Sequence, residues 1–159
     1  MKKVHVRLDR VNDAFHFRSK NVWGHTVDVD DSGAYDEGHG SGTGPMELLL
    51  VAVGTCSAFD IVSILQKARQ DIKSFGISVD GEKPVGTAPS LYRTIRLMYE
   101  LEGELDEKKV RRAIELSLQK YCSVSRTLAP TARIEYSFTI NGNEFEGGVA
   151  SEPAASEQG

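Results

Sequence analysis

Residues 45–69 read PMELLLVAVGTCSAFDIVSILQKAR, an almost continuously apolar stretch. Pro45 suits the first turn of a helix, and Thr43 or Gly44 can cap it. The segment contains Asp60, which is costly inside a bilayer, so the sequence predicts a buried core helix and no membrane partner. A helix that is apolar on nearly all sides is buried on nearly all sides, and a chain of 159 residues can hardly enclose it alone. We therefore expect a second subunit to complete its burial in a homodimer.

The patterns on either side of this helix predict an α+β fold. Alternation of apolar and polar residues marks strands, and an i, i+3, i+4 stripe marks a second helix. The order β-β-β-α-β-β-α-β segregates strands from helices and places two central helices against antiparallel sheets. A single domain over residues 1–150 and a disordered tail over residues 151–159 are expected. The predicted strands cover residues 4–9, 14–18, 26–30, 75–82, 91–101 and 133–140; the second helix runs from its N-cap Asp106 to Cys122, and residues 123–128 add a helical turn.

Composition excludes several classes of function. The net charge of −4 argues against a nucleic-acid partner, because phosphate binding favours a basic face. Two cysteines are too few for a secreted disulfide framework, and no apolar run follows Met1-Lys2-Lys3, so we expect no signal peptide and a reducing cytoplasmic location. No metal site and no cofactor are expected, since the sequence has no Cys-x-x-Cys and its four histidines show no ligand spacing: His5, His16, His25 and His39.

The two cysteines are the candidates for chemistry, and the residues alone leave their role open. Cys56 and Cys122 each lie on or next to a helix, where a cysteine is more often a small, inert core residue than a reactive one. Asp60, one turn after Cys56, is expected to make a structural hydrogen bond. Trp23 and Tyr121 are expected in the core, although either could line an apolar pocket.

Two motifs resemble the OsmC/Ohr family of peroxide-detoxification proteins. The segment PMELLLVAVGTCSA, residues 45–58, resembles the family's first-cysteine helix, and YCSVS, residues 121–125, resembles its second-cysteine motif, which often reads Cys-Pro-x-Ser. Residues 59–67, FDIVSILQK, look closest to the YhfA-like subgroup. The resemblance extends over about residues 4–140 and implies the OsmC-like fold in an intertwined homodimer.

The resemblance implies a function in the thiol-dependent reduction of organic hydroperoxides. Cys56 would attack the peroxide and become a sulfenic acid, and Cys122 would resolve it as an intrasubunit disulfide. A dithiol, often a lipoylated protein, would then reduce the pair. Activity in family members needs a glutamate directly after the helix-opening proline and an arginine near the N-terminus.

This chain departs from that activating pair. Met46 occupies the glutamate position, and Glu47 follows one residue, or ~100° of helix rotation, later. The resemblance therefore suggests Glu47 as the carboxylate and Arg18 as the arginine, with Arg7 and Arg10 as weaker candidates. The alternative is a catalytically weak or inactive dimer of the same fold that serves as a small-molecule binding module or a redox sensor.

Overall fold

The N-terminal part of the chain forms a small antiparallel meander. The computed structural model describes residues 1–35 and 40–154, and they form two compact units, Met1–Leu49 and a second unit that begins at Leu50. The three predicted strands are confirmed, in the order β1-β2-β3. The first begins later than its alternation suggests, because pairing with β2 starts with Leu8 opposite Ser19. The bounds are Leu8–Arg10 for β1, Phe17–Lys20 for β2 and Thr26–Val29 for β3.

The Gly-rich segment that follows the meander contains a short 3-10 turn, Ser32–Ala34. Residues 36–39 of this segment lie outside the described residues. The buried Asp30 carboxylate accepts hydrogen bonds from the Tyr35 hydroxyl and the Ser41 N–H at 3.0 and 2.9 Å, which ties both ends of the segment to the end of β3.

The second unit is built on a four-stranded sheet in the order β4-β5-β6-β7. β5 and β6 pair in parallel, which corrects the expectation that the sheets are antiparallel, while the two outer pairs are antiparallel. A parallel pair needs a long crossover, and the helical segment between β5 and β6 supplies it. The sequence did not predict β7, whose pattern is rich in glycine and charge and lacks a regular apolar face. The bounds are Asp71–Glu82 for β4, Thr94–Glu104 for β5, Arg133–Ile140 for β6 and Asn143–Ser151 for β7.

The core of this unit lies on the apolar faces that the alternation predicted. Tyr99 and Phe138, on the neighbouring strands β5 and β6, are among its largest fully buried side chains. Burial of a large apolar side chain stabilises a fold by ~1.5–3 kcal/mol, so these two strands fix the register of the sheet. The other buried apolar residues of these strands are Ile95, Leu97, Leu101, Ile134, Tyr136 and Ile140.

The helices match the predicted positions, and the α+β class is confirmed. Helix α1 is Pro45–Lys67 and α2 is Glu107–Leu116. Asp106 caps α2 as predicted, because its side chain accepts the N–H of Lys109 at 2.9 Å. A π-helical turn, Ser117–Tyr121, follows α2 directly and is called the π-turn below; helix α3, Ser123–Leu128, comes next.

Helix α1 is buried on one face only within the single chain, in line with the expectation that a chain of this length can hardly enclose it alone. Val53, Ile61 and Leu65 are fully buried, whereas Phe59 is 75% and Val51 54% exposed. The helix has the length and composition that could cross a membrane, which a core helix of a soluble protein shares. Cover of its apolar outer face by a second subunit stays a prediction.

The two candidate aromatic residues are more exposed than expected. Trp23 is 81% and Tyr121 50% exposed, so neither is a core residue in the single chain. β7 ends at Ser151, the first residue of the predicted tail, and residues 155–159 lie outside the described residues. The disorder of the tail and the single domain over residues 1–150 stay predictions.

Candidate active site

Cys56 lies in the middle of α1, where the helix packs against β4. Gly54 makes this approach close: a Cβ atom there would lie 3.1 Å from a methyl group of Val79. The Cys56 side chain is half-buried and its thiol is free. The helix therefore holds Cys56 at the edge of the core, where a small molecule can reach it from outside the chain.

The π-turn and α3 place Cys122 deep in the same unit. The Cys122 N–H donates to the Ser117 carbonyl at 2.8 Å, which closes the wide turn. Its sulfur accepts the N–H of Ser125 at 3.3 Å, so Cys122 is the N-cap of α3. The Ser125 hydroxyl donates to the Leu118 carbonyl at 2.8 Å. Ser125 thus explains the serine of the second-cysteine motif, because it binds both the Cys122 thiol and the turn before it.

The two thiols are close neighbours. The fully buried thiol of Cys122 lies within hydrogen-bonding reach of Cys56. Burial and the contact with Cys56 raise the pKa of the Cys122 thiol from 9.0 to about 12, although the N–H of Ser125 acts in the opposite direction. Cys122 is consequently a neutral thiol at neutral pH, and its S–H can be donated to the Cys56 sulfur.

A chain of buried hydroxyls surrounds the pair. The Tyr99 hydroxyl donates to Ser57 Oγ at 2.9 Å, and Ser57 Oγ donates to the Gly54 carbonyl at 2.8 Å. Burial raises the pKa of Tyr99 far above its usual value, so it acts as a hydrogen-bond donor. Ser117 Oγ lies 2.9 Å from a carboxylate oxygen of Asp60. The predicted structural hydrogen bond of Asp60 is confirmed.

Sequence reasoning did not single out Ser57, Tyr99 or Ser117 as parts of the site. Ser57 directly follows Cys56, and Tyr99 lies on the buried face of β5. The available signal was a polar atom at a core-facing position, because a buried hydroxyl needs a hydrogen-bond partner.

An apolar cavity of about 410 Å³ lies between α1 and β4, and Cys56 is not part of its lining. Thr55, the residue before Cys56, is part of its wall. A cavity of this size and character suits a small apolar organic group. Its lining comes from α1 and β4: Leu50, Val51, Gly54, Thr55, Phe75, Ile77 and Val79.

Glu47 and Arg18, the predicted activating pair, both have partners in the N-terminal unit. Glu47 accepts the N–H of Gly44 at 2.8 Å and so caps the start of α1. Arg18 Nε donates at 2.8 Å to the Asp28 oxygen that His16 Nε2 also contacts at 2.6 Å. The hydrogen bonds from His16 and Arg18 lower the pKa of Asp28. Their catalytic roles stay predictions.

Among residues 1–35 and 40–154, no group of three or more His, Cys, Asp or Glu side chains is arranged to hold a metal ion. His39 lies outside that part of the chain.

Comparison with known proteins identifies the family of this chain. The family model described as OsmC-like protein matches residues 38–137, a segment that contains both cysteines. The chain belongs to the family of OsmC-like proteins. Protein YhfA of Escherichia coli K12 is 41% identical over 97 residues, which cover 60% of this chain and 72% of YhfA.

Solved OsmC-like structures share the fold. A hypothetical protein of Aquifex aeolicus VF5 matches with a TM-score of 0.77 and 32% identity, over 89% of this chain and 98% of its own. An organic hydroperoxide resistance protein OsmC of Legionella pneumophila matches with a TM-score of 0.63 over 87% of this chain and 99% of its own. At 10% identity, the second similarity supports the fold alone.

Proposed function

We propose that this OsmC-like protein reduces organic hydroperoxides through the thiols of Cys56 and Cys122. The observation that carries the proposal is the proximity of two free thiols, one half-buried and one fully buried. An apolar cavity whose wall includes Thr55, the residue before Cys56, adds to it. A peroxide that carries an alkyl or aryl group could place that group in the cavity. Membership of a family with organic hydroperoxide resistance proteins among its solved structures supports the same chemistry.

The difference in burial assigns a separate role to each thiol. The Cys56 thiolate attacks the distal peroxide oxygen, the O–O bond breaks, and the alkoxide takes a proton to leave as an alcohol. Cys122, which burial keeps as a neutral thiol, then attacks the Cys56 sulfenic acid. A disulfide forms and water leaves. An external dithiol, such as the lipoyl group of a lipoylated protein, takes up the disulfide by exchange and restores both thiols.

The proposal includes a cytoplasmic homodimer and the activating pair. The exposed apolar side chain of Phe59 on α1 favours a second copy of the chain against this helix. A reducing cytoplasm keeps both thiols free between turnovers. Arg18 would stabilise the thiolate and Glu47 would orient the arginine, as the family resemblance implies.

The deciding experiment is consumption of cumene hydroperoxide by the reduced protein with dihydrolipoamide as reductant. We expect turnover by the wild type, none by Cys56→Ser, and a single equivalent at most by Cys122→Ser. If the wild type is as inert as Cys56→Ser, the peroxidase proposal is wrong.

Arg18 has a matched control. Arg7 and Arg18 both pair with an aspartate, at 2.5 and 2.8 Å. We expect Arg18→Gln to slow the reaction of Cys56 with peroxide and Arg7→Gln to leave it unchanged. A wild-type rate in Arg18→Gln excludes Arg18 from the site, and a slowed rate in Arg7→Gln assigns the role to Arg7, the weaker candidate.

The alternative is a binding module or redox sensor of the same fold. Met46 at the family's glutamate position and the apolar cavity favour it. Binding of an apolar fluorescent probe to a protein that does not consume peroxide would support the binding module. A disulfide that forms without sustained turnover would support the sensor.

A further inference from the structure

Ser117 is a buried polar residue with contacts on both sides of the cysteine pair. Its side chain is fully buried. Its carbonyl accepts the N–H of Cys122 at 2.8 Å, and its hydroxyl lies 2.9 Å from Asp60 Oδ2 and 3.2 Å from the Ser57 carbonyl. A hydroxyl has one proton to donate, and the shorter contact to a carboxylate is the stronger one. The main bond therefore runs from Ser117 to Asp60.

These contacts join the two segments that carry the thiols. Ser57 directly follows Cys56, and Asp60 lies one turn further along α1. On the other side, Ser117 begins the π-turn, which ends at Tyr121, directly before Cys122. One side chain thus holds the turn of α1 that contains Cys56, while the backbone of the same residue holds Cys122.

The geometry of the π-turn makes the position of Cys122 depend on this connection. A π-helical turn has wider hydrogen bonds than an α-helix and is often found at functional sites. Without the bond from Ser117 to Asp60, the hydroxyl of Ser117 keeps only the longer contact of 3.2 Å to the Ser57 carbonyl. We expect the turn, and Cys122 with it, to sample a wider range of positions.

We propose that Ser117 is a positioning residue that sets the approach of Cys122 to Cys56 and thereby the rate at which the sulfenic acid is resolved. The inference rests on the dithiol chemistry proposed above. In the step concerned, the Cys122 sulfur bonds to the Cys56 sulfur and displaces the sulfenic oxygen, which leaves as water with the Cys122 proton. When this step is slow, a second peroxide oxidises the sulfenic acid of Cys56 to sulfinic acid.

The primary test is the equilibrium between the dithiol and the disulfide in a dithiothreitol redox buffer. It measures the effective concentration of one thiol at the other and needs no peroxide. We expect Ser117→Ala to lower this concentration about tenfold, which for a two-electron couple is about 30 mV toward a less negative potential. With cumene hydroperoxide, the first loss of the Cys56 thiol should keep its rate, while the sulfinic fraction measured by mass spectrometry should rise.

Asp60 offers a matched pair of variants that leaves Ser117 in place. Asp60→Ala removes the acceptor and should reproduce the shift, whereas Asp60→Asn keeps an acceptor oxygen and should stay near the wild-type potential. This pair decides the matter if Ser117→Ala does not fold. Thr127→Ala is a control, because the Thr127 hydroxyl bonds only within α3, to the Ser123 carbonyl at 2.8 Å.

The outcomes separate this inference from the proposed function. A wild-type potential in both Ser117→Ala and Asp60→Ala, or a shift of the same size in Thr127→Ala, overturns the positioning role. A shifted potential in a protein that never consumes peroxide keeps the positioning role and removes the peroxidase function.

Discussion

Alkaline pH should destabilise the reduced protein through one buried thiol. Burial raises the pKa of Cys122 from 9.0 to about 12 in the folded protein. Between these values the unfolded chain has lost the proton and the folded chain has kept it, so the folded state binds more protons and stability falls as pH rises. Below the unfolded value, the contribution does not change with pH.

The size of the effect follows from the two pKa values. One pKa unit corresponds to ~1.4 kcal/mol, so the free energy of unfolding should fall by about 1.4 kcal/mol between about pH 8 and about pH 10 from this thiol alone. The total approaches about 4 kcal/mol above the folded pKa. Other groups that titrate in this range also make the free energy of unfolding change with pH. They do so equally in a variant without the Cys122 thiol.

Urea unfolding of wild type and Cys122→Ala, with a reductant and at one protein concentration, isolates this contribution. The cavity left in the alanine variant lowers its free energy of unfolding by an amount that does not depend on pH. Between about pH 8 and about pH 10, the free energy of unfolding of this variant should fall by ~1.4 kcal/mol less than that of the wild type. Parallel pH curves for the two proteins would refute the buried, neutral Cys122 and, with it, the division of roles between the thiols.

Two further predictions concern access to the site. Iodoacetamide should alkylate the half-buried Cys56 much faster than the fully buried Cys122. Peptide mass spectrometry of the native, reduced protein measures both rates. Faster labelling of Cys122 contradicts the assigned roles. Val51→Trp should fill the apolar cavity and raise the KM for cumene hydroperoxide several-fold more than the KM for hydrogen peroxide. The control Val85→Trp, at an exposed position away from the cavity lining, should change neither KM. An unchanged ratio of the two KM values in Val51→Trp excludes the cavity as the substrate site.

Part of the candidate site could be predicted from the sequence because its signals are local. The apolar run with its opening proline predicted α1, and the two short motifs around Cys56 and Cys122 predicted a dithiol. The contact between the thiols agrees with that pairing. Glu47 and Arg18 came from the resemblance alone, and their side chains cap a helix and pair with Asp28, respectively.

The remaining features depend on contacts between residues distant in sequence. β7 has no regular alternation, and its position comes from pairing with β6. The hydrogen bond from Ser117 to Asp60 joins residues 57 positions apart, and that from Tyr99 to Ser57 joins residues 42 apart. No local pattern marks such pairs, since a serine in an apolar stripe looks the same whether or not it has a buried partner.

The sequence by itself determined the α+β class, the two helices and most of the strands, because helical and strand periodicity record which side of each element faces the core. It also marked the two cysteines through their motifs. Only the tertiary structure decided that Cys122 is buried with a raised pKa while Cys56 is half-buried. The physical reason is that the charge state of a thiol depends on desolvation and on neighbours from other elements, which exist only once the helices and the sheet have packed together.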